Sequence, residues 1–137
     1  MEEMLRKKEV FAIIGAAFEV YNTLGAGFLE AVYQEALAIE LAARQVPFAE
    51  RKELRIRYKE QILTKTYYAD LECFGSVIVE LKAESHLHTC DDAQLLNYLK
   101  AAGLEVGVLI NFGARHRLEW RRLVRTSSLD NHSRRFA

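Results

Sequence analysis

The chain has 137 residues, half of them apolar and 28% charged, with 19 basic side chains against 19 acidic ones. That composition suits one domain with a buried core and excludes a disordered, charge-rich chain. Apolar runs fall short of the roughly 20 residues of a membrane-spanning helix, the acidic start Met1-Glu2-Glu3-Met4 is unlike a signal peptide, and Cys73 and Cys90 are too few for a disulfide framework. The expectation is a soluble, cytoplasmic protein with no membrane partner. It has one domain over residues 1–126 and a flexible C-terminal tail at 127–137.

Val10, Ile13, Ile14, Ala17, Phe18 and Tyr21 recur at helical spacing and predict an amphipathic helix over residues 5–23. Leu24-Gly25-Ala26-Gly27 breaks it. Leu29, Val32, Tyr33, Ala36, Leu37 and Leu41 start a second helix running to about Arg44, and Pro47 forbids its continuation. The period then changes to two. Leu54, Ile56 and Tyr58 alternate with charged residues on a half-buried strand with a basic outer face. A turn at Lys59-Glu60-Gln61 leads to a hairpin partner over 62–72, and Val77 to Leu81 reads as a buried central strand. Thr89 with Asp92 resembles a capping box opening a helix over Asp91 to Ala102, which ends at Gly103. Val106 to Asn111 is another buried strand, and Leu118 to Val124 a last strand or short helix. The predicted class is α/β, a central mixed sheet flanked by helices in the order α-α-β-β-β-α-β.

The zero net charge conceals two basic stretches. Residues 115–137 carry a net +5 and residues 44–65 a net +4, so the remainder is strongly acidic. Such blocks either form solvated faces or attract a polyanion locally. Arg55 and Arg57 in the first block, and Arg115, Arg117, Arg121 and Arg122 in the second, are the candidate nucleic-acid contacts. Trp120 between them either stacks on a base or packs in the core.

The chemistry-bearing residues sit where an apolar pattern is broken by charge. Glu80 and Lys82 flank Leu81 on a Val/Ile strand, and two residues apart they share a face. They form either a structural ion pair at a strand end or a site. Asp70 ends the preceding strand, and a hairpin return places it beside Glu80. Two adjacent carboxylates favour a hard cation such as Mg²⁺ or Mn²⁺, and a neighbouring lysine can serve an attacking water or a phosphate. Asp, then Glu-x-Lys on the next strand, is the minimal apparatus for metal-assisted phosphodiester hydrolysis. His86, His88 and Cys90 lack the paired knuckles of structural zinc sites and read instead as loop residues.

Asp70 followed by Glu80-Leu81-Lys82 resembles the PD-(D/E)XK nuclease superfamily. Gly27-Phe28-Leu29-Glu30-Ala31-Val32-Tyr33 resembles the motif of the GxxExxY family within it. Val79 to Ala83, Ala93 to Lys100 and Leu109 to Gly113 are similar to that family in the same order, across roughly residues 8–125. The resemblance implies a restriction-endonuclease-like core. It also implies that Asp70 and Glu80 bind the metal, that the Leu81 carbonyl adds a ligand, and that Lys82 serves the nucleophilic water. Gln94 and Tyr98 resemble the Gln-x-x-x-Tyr element of the RecB-like branch, which organises the site and the strand. The alternative for both is plain helix surface with one core aromatic.

Glu30 is the counterpart of an acidic metal ligand on the first core helix, or else a solvated helix glutamate; Tyr33, three residues on, is expected to face the same groove. Ala69 replaces the proline that often precedes the first Asp of the superfamily.

Three readings follow. The first is a Mg²⁺-dependent nuclease acting on DNA phosphodiester bonds. The second is a catalytically weak or inactive nuclease-fold module that binds nucleic acid or protein. The third is a homodimer whose basic strands jointly form the groove. The expectation for a chain of this length is no separate DNA-reading module.

Overall fold

The computed structural model describes residues 4–126. Its elements are α1 (Lys7–Leu24), α2 (Glu30–Ala43), β1 (Phe48–Tyr58), β2 (Gln61–Cys73), β3 (Val77–Lys82), α3 (Thr89–Ala102), β4 (Val106–Asn111) and β5 (Glu119–Val124). The tail expected at 127–137 lies outside the described residues. The strands lie in sequence order, β1-β2-β3-β4-β5. β3 and β4 are parallel and the other neighbours antiparallel, so the sheet is mixed, as predicted. α3 is the crossover that a parallel β3–β4 pair requires.

β3 and β4 are covered on both faces, which explains their near-continuous Val, Ile and Leu content. One face carries Val77, Val79, Leu81, Val106, Val108 and Ile110 against α1 and α2. The other carries Ile78 and Leu109 against Leu95, Leu99 and Tyr98 of α3. Glu80 and Lys82 fall in step with Ile78, on the α3 side.

β2 changes sides along its length. Leu71 and Cys73 pack under α1 and α2, whereas Ala69 packs under α3. Residues two apart on a regular strand share a face, so the strand turns over at Asp70. The β1–β2 ladder keeps its register there but leaves Arg51 and Asp70 unpaired: Glu50 pairs with Leu71 and Lys52 with Ala69, while Arg51 between them adopts φ 52°. A left-handed non-glycine residue costs roughly 1–2 kcal/mol, and here it accompanies the reversal that frees Asp70.

Several expectations are corrected. β1 begins at Phe48, six residues ahead of Leu54, where the predicted alternation starts, because residues 49–53 are exposed in succession and leave no period to read. α3 begins at Thr89, and the carboxylate that accepts the His88 N–H (2.9 Å) belongs to Asp91, not Asp92. Phe18, Leu29 and Val32 belong to apolar helix patterns yet are exposed. Where two alternatives stood open, residues 119–124 form the strand, and Trp120 packs against the α1–α2 core.

Candidate active site

The β2–β3 pairing ends at Leu71 opposite Val79. Beyond it the ladder is continued by side chains. The Asp70 N–H donates to Glu80 Oε2 (2.9 Å), and the Leu81 N–H donates to Asp70 Oδ2 (2.8 Å). Each carboxylate is anchored through one oxygen, with the second oxygen outside that bond. The Gln34 Nε2 amide holds the Asp70 carbonyl from α2 (3.1 Å).

Glu80 is 5% exposed. Burial, then the negative charge of Asp70, pushes its carboxyl up to about 8. Burial also raises Asp70, against the opposing pull of the Leu81 N–H, Lys82 and Arg51. Two carboxylates that each resist ionisation beside the other form a site that a cation would relieve.

The ammonium of Lys82 lies 3.0 Å from Gln94 Oε1 and 3.6 Å from Asp91 Oδ1. Asp91 is buried; desolvation alone would raise its pKa, but the His88 N–H, Glu84 and Lys82 outweigh it and hold the carboxyl low. Tyr98, one turn beyond Gln94, has its phenol raised by desolvation and then by the charges of Glu80 and Asp70. Its ring lies against Tyr67 of β2, with centroids 5.6 Å apart. Asp70, Glu80, Lys82, Gln94 and Tyr98 are therefore neighbours at one end of the sheet.

Glu30 opens α2 and is exposed. Its carboxyl is raised by desolvation and then by Asp70, so it lies within electrostatic reach of the pair. It is not gathered with Asp70 and Glu80 into a three-ligand cluster, since among the described residues no three His, Cys, Asp or Glu side chains converge on a metal position.

Tyr33 does not face the groove. It is fully buried, stacked on Phe112 (4.6 Å between centroids, 6° between planes). Its hydroxyl donates to the Gly25 carbonyl (2.5 Å) and accepts from the Phe28 N–H (3.1 Å). The tyrosine thus fastens the Gly25–Phe28 turn that delivers Glu30.

Both basic stretches reach the same end of the sheet, but not with all their arginines. Running back from Asp70, β2 is antiparallel to β3, so the β1–β2 hairpin overhangs the C-terminal end of β3. Arg55 and Arg57 are exposed on it, Arg55 lying 3.7 Å from the Glu53 carboxylate. Arg115 and Arg117 are exposed on the loop that leaves the C-terminal end of β4. Arg121 and Arg122 are committed elsewhere. Arg121 pairs with Asp92 of α3 at 2.7 Å, and Arg122 donates to the Leu5 carbonyl on the opposite face. Consecutive strand residues point to opposite faces, so the two cannot form one phosphate-binding cluster.

Two residues escape a reading of the sequence. Asn111 is fully buried, and its amide accepts from the Glu84 and Gly113 N–H groups (2.9 and 3.0 Å) and donates to the Glu84 carbonyl and Glu119 Oε1 (2.9 and 3.0 Å). It pins the segment after Lys82. Its only signal is a polar residue closing an apolar strand. Asp91 is the other, visible as an acidic residue in the first turn of α3.

The Asp70–Glu80 pair offers carboxylate oxygens, donors that suit Mg²⁺ or Mn²⁺ rather than zinc. No helix among the described residues is long and apolar enough to cross a membrane. No match is found among curated proteins. A similar fold occurs in the crystal structure of SSO0001, at a TM-score of 0.59 and 15% identity. The match covers 96% of this chain and 64% of that one, so the chain spans under two-thirds of its length. A sequence model of the PD-(D/E)XK nuclease superfamily matches residues 7–123. Spanning every element from α1 into β5, that match shows that the chain belongs to the PD-(D/E)XK nuclease superfamily.

Proposed function

We propose that the protein is a Mg²⁺- or Mn²⁺-dependent nuclease hydrolysing DNA phosphodiester bonds, of the GxxExxY type, with Gln94 and Tyr98 as its Gln-x-x-x-Tyr element. The observation that carries this reading is the reciprocal anchoring of Asp70 and Glu80, with Lys82 on the same face. Asp70 and Glu80 would hold the cation. The Leu81 N–H points toward Asp70, and the carbonyl of a strand residue leaves on the same side as its N–H, which favours that carbonyl as a further ligand. A divalent cation held there supplies Lewis-acid stabilisation of charge developing on the phosphate.

Lys82, fixed by Gln94 and Asp91, would orient the attacking water and offset phosphate charge. Tyr98 would close the site beside the carboxylates, and Glu30 would contribute through a water. Arg55, Arg57, Arg115 and Arg117 would draw the polyanion to this end of the sheet.

Cleavage of labelled single- and double-stranded DNA with Mg²⁺ or Mn²⁺ tests the reading, alongside calorimetric titration of Mn²⁺. The expected result is cleavage lost in Lys82→Ala, and Mn²⁺ affinity lost in Glu80→Gln. Absence of both cleavage and metal affinity in the wild type, with salt-sensitive DNA binding retained, would establish the binding-module reading instead.

A further inference from the structure

The β1–β2 arm is unusual for a hairpin at a sheet edge. Among the described residues, it has no third strand beside it from Asp70 back to Gln61, a reach of roughly 30 Å at 3.3 Å per residue, and its base at Leu54 and Ala69 is covered by α3. Two-stranded ribbons are marginal in water unless something covers them. Yet Tyr58, Ile62, Leu63, Tyr67 and Tyr68 are each between 39% and 60% exposed. Large apolar groups so close together on a free ribbon mark a docking surface.

Charge and placement say what docks there. Residues 51–68 hold six basic side chains against Glu53 and Glu60, a net +4, which selects a polyanion over an apolar protein partner. Tyr67 and Tyr68 are consecutive, so their rings stand on opposite faces of the ribbon. Tyr67 lies against Tyr98 and so adjoins the carboxylates. The Tyr68 ring carries the Arg51 guanidinium at 4.9 Å. Tyr58 stands at the tip, with the Lys59 ammonium 5.4 Å from its ring centroid. Rings interleaved with cations suit the faces of unpaired bases, which are inaccessible inside a duplex, whereas readers of duplex edges use paired hydrogen-bonding groups.

Resting on the nuclease reading for its link to cleavage, we propose that the arm is a stacking surface for unpaired bases and that the strand delivered to Asp70 and Glu80 is single-stranded. Tyr67 and Tyr98 hold the base next to the scissile phosphate, and Tyr58 at the tip holds a base farther out, while Tyr68 stands on the other face of the ribbon.

The test is fluorescence anisotropy in EDTA, so that binding is read without cleavage. The probes are labelled dT20, rU20 and a blunt 20-base-pair duplex. Wild type is expected to bind dT20 at least tenfold more tightly than the duplex. Tyr67→Ala and Tyr58→Ala are each expected to weaken dT20 binding about tenfold, while the corresponding Phe variants, and Tyr68→Ala on the opposite face, bind as wild type. Tyr58→Ala guards against misfolding, since its side chain is 60% exposed, and thermal melts check each variant. Binding of rU20 as tight as dT20 assigns the surface to single strands of either sugar; tenfold weaker binding assigns it to DNA.

Preference for the duplex, or Tyr67→Ala and Tyr58→Ala proteins that bind as wild type, overturns the proposal. So does self-association of the chain that the alanine variants abolish, in the absence of oligonucleotide binding. Tyrosine-dependent dT20 binding without any metal-dependent cleavage would leave the surface standing and remove the nuclease reading. Cleavage of the duplex alone would do the reverse.

Discussion

The Lys82 ammonium is held 3.0 Å from Gln94 Oε1 on the facing helix, so one hydrogen bond ties the central strand to α3 at the carboxylate pair. Asp91 supports the same nitrogen from 3.6 Å. A four-carbon side chain on a strand end is otherwise free to sample several rotamers, and fixing it costs entropy that these two acceptors offset.

Gln94→Ala is therefore expected to lower kcat about 10- to 100-fold while leaving KM and dT20 binding in EDTA near wild type, because a displaced catalytic group costs turnover more than affinity. Lys82→Ala should cost more than Gln94→Ala. Initial-rate measurements over a range of substrate concentrations check both.

Stability should depend on pH through Glu80. Its carboxyl titrates near 4.5 when unfolded and at about 8 in the folded, metal-free protein. Between those values the native state binds a proton that the unfolded chain has released, so stability falls as pH rises through that window. The raised Asp70 acts in the same direction. Metal-free wild type should melt at a lower temperature at pH 8 than at pH 5.5, and Glu80→Gln should show a smaller difference. Mg²⁺ competes with the proton for the same oxygens, so its stabilising effect should be larger at pH 8 than at pH 6. Thermal melts with and without Mg²⁺ read all three.

The order of elements was legible because each central strand is a short apolar run and each helix keeps its period. Asp70 and Glu80 were legible as a pair because a hairpin between them has one simple register. What could not be read were features set by distant partners. Nothing local in Glu30-Ala31-Val32-Tyr33 says that the tyrosine turns inward to stack on Phe112, which follows β4 in the last third of the chain, rather than joining Glu30 at the groove. Arg121 and Arg122 read as one cluster, yet strand alternation sends them to Asp92 and to the Leu5 carbonyl. Residues 49–53 of β1 carry no alternation, because they are exposed in succession.

The arginines make that correction testable. Replacing Arg115 and Arg117 together by alanine should weaken dT20 binding and flatten its salt dependence, by about 0.7 in the log–log slope for each phosphate that is no longer neutralised. Arg121→Ala should leave that slope unchanged. It should lower stability by about 1 kcal/mol or less, the usual range for a partly exposed ion pair. Binding isotherms at several salt concentrations, with a melt for each variant, separate the two behaviours.

Asn111 and Gly113 hold the segment that follows the lysine. Asn111→Ala strips partners from the Glu84 N–H, the Gly113 N–H and the Glu84 carbonyl at once. At about 1–3 kcal/mol for a buried group left unpaired, the loss should be about 3 kcal/mol. Gly113→Ala attacks the same segment from the other side. Its Cβ would lie 2.4 Å from the Glu84 carbonyl oxygen and 2.6 Å from the Ala83 carbonyl carbon, both backbone atoms that cannot swing away. At Gly107 the added methyl meets only the Leu95 side chain, at 2.9–3.0 Å, which can shift. Gly113→Ala should thus destabilise more than Gly107→Ala, and it should also lower cleavage by displacing the backbone just beyond Lys82. Chemical denaturation of the three variants, paired with their initial rates, checks the ranking; a Gly113→Ala protein with wild-type stability and rate would show that this segment does not position the lysine.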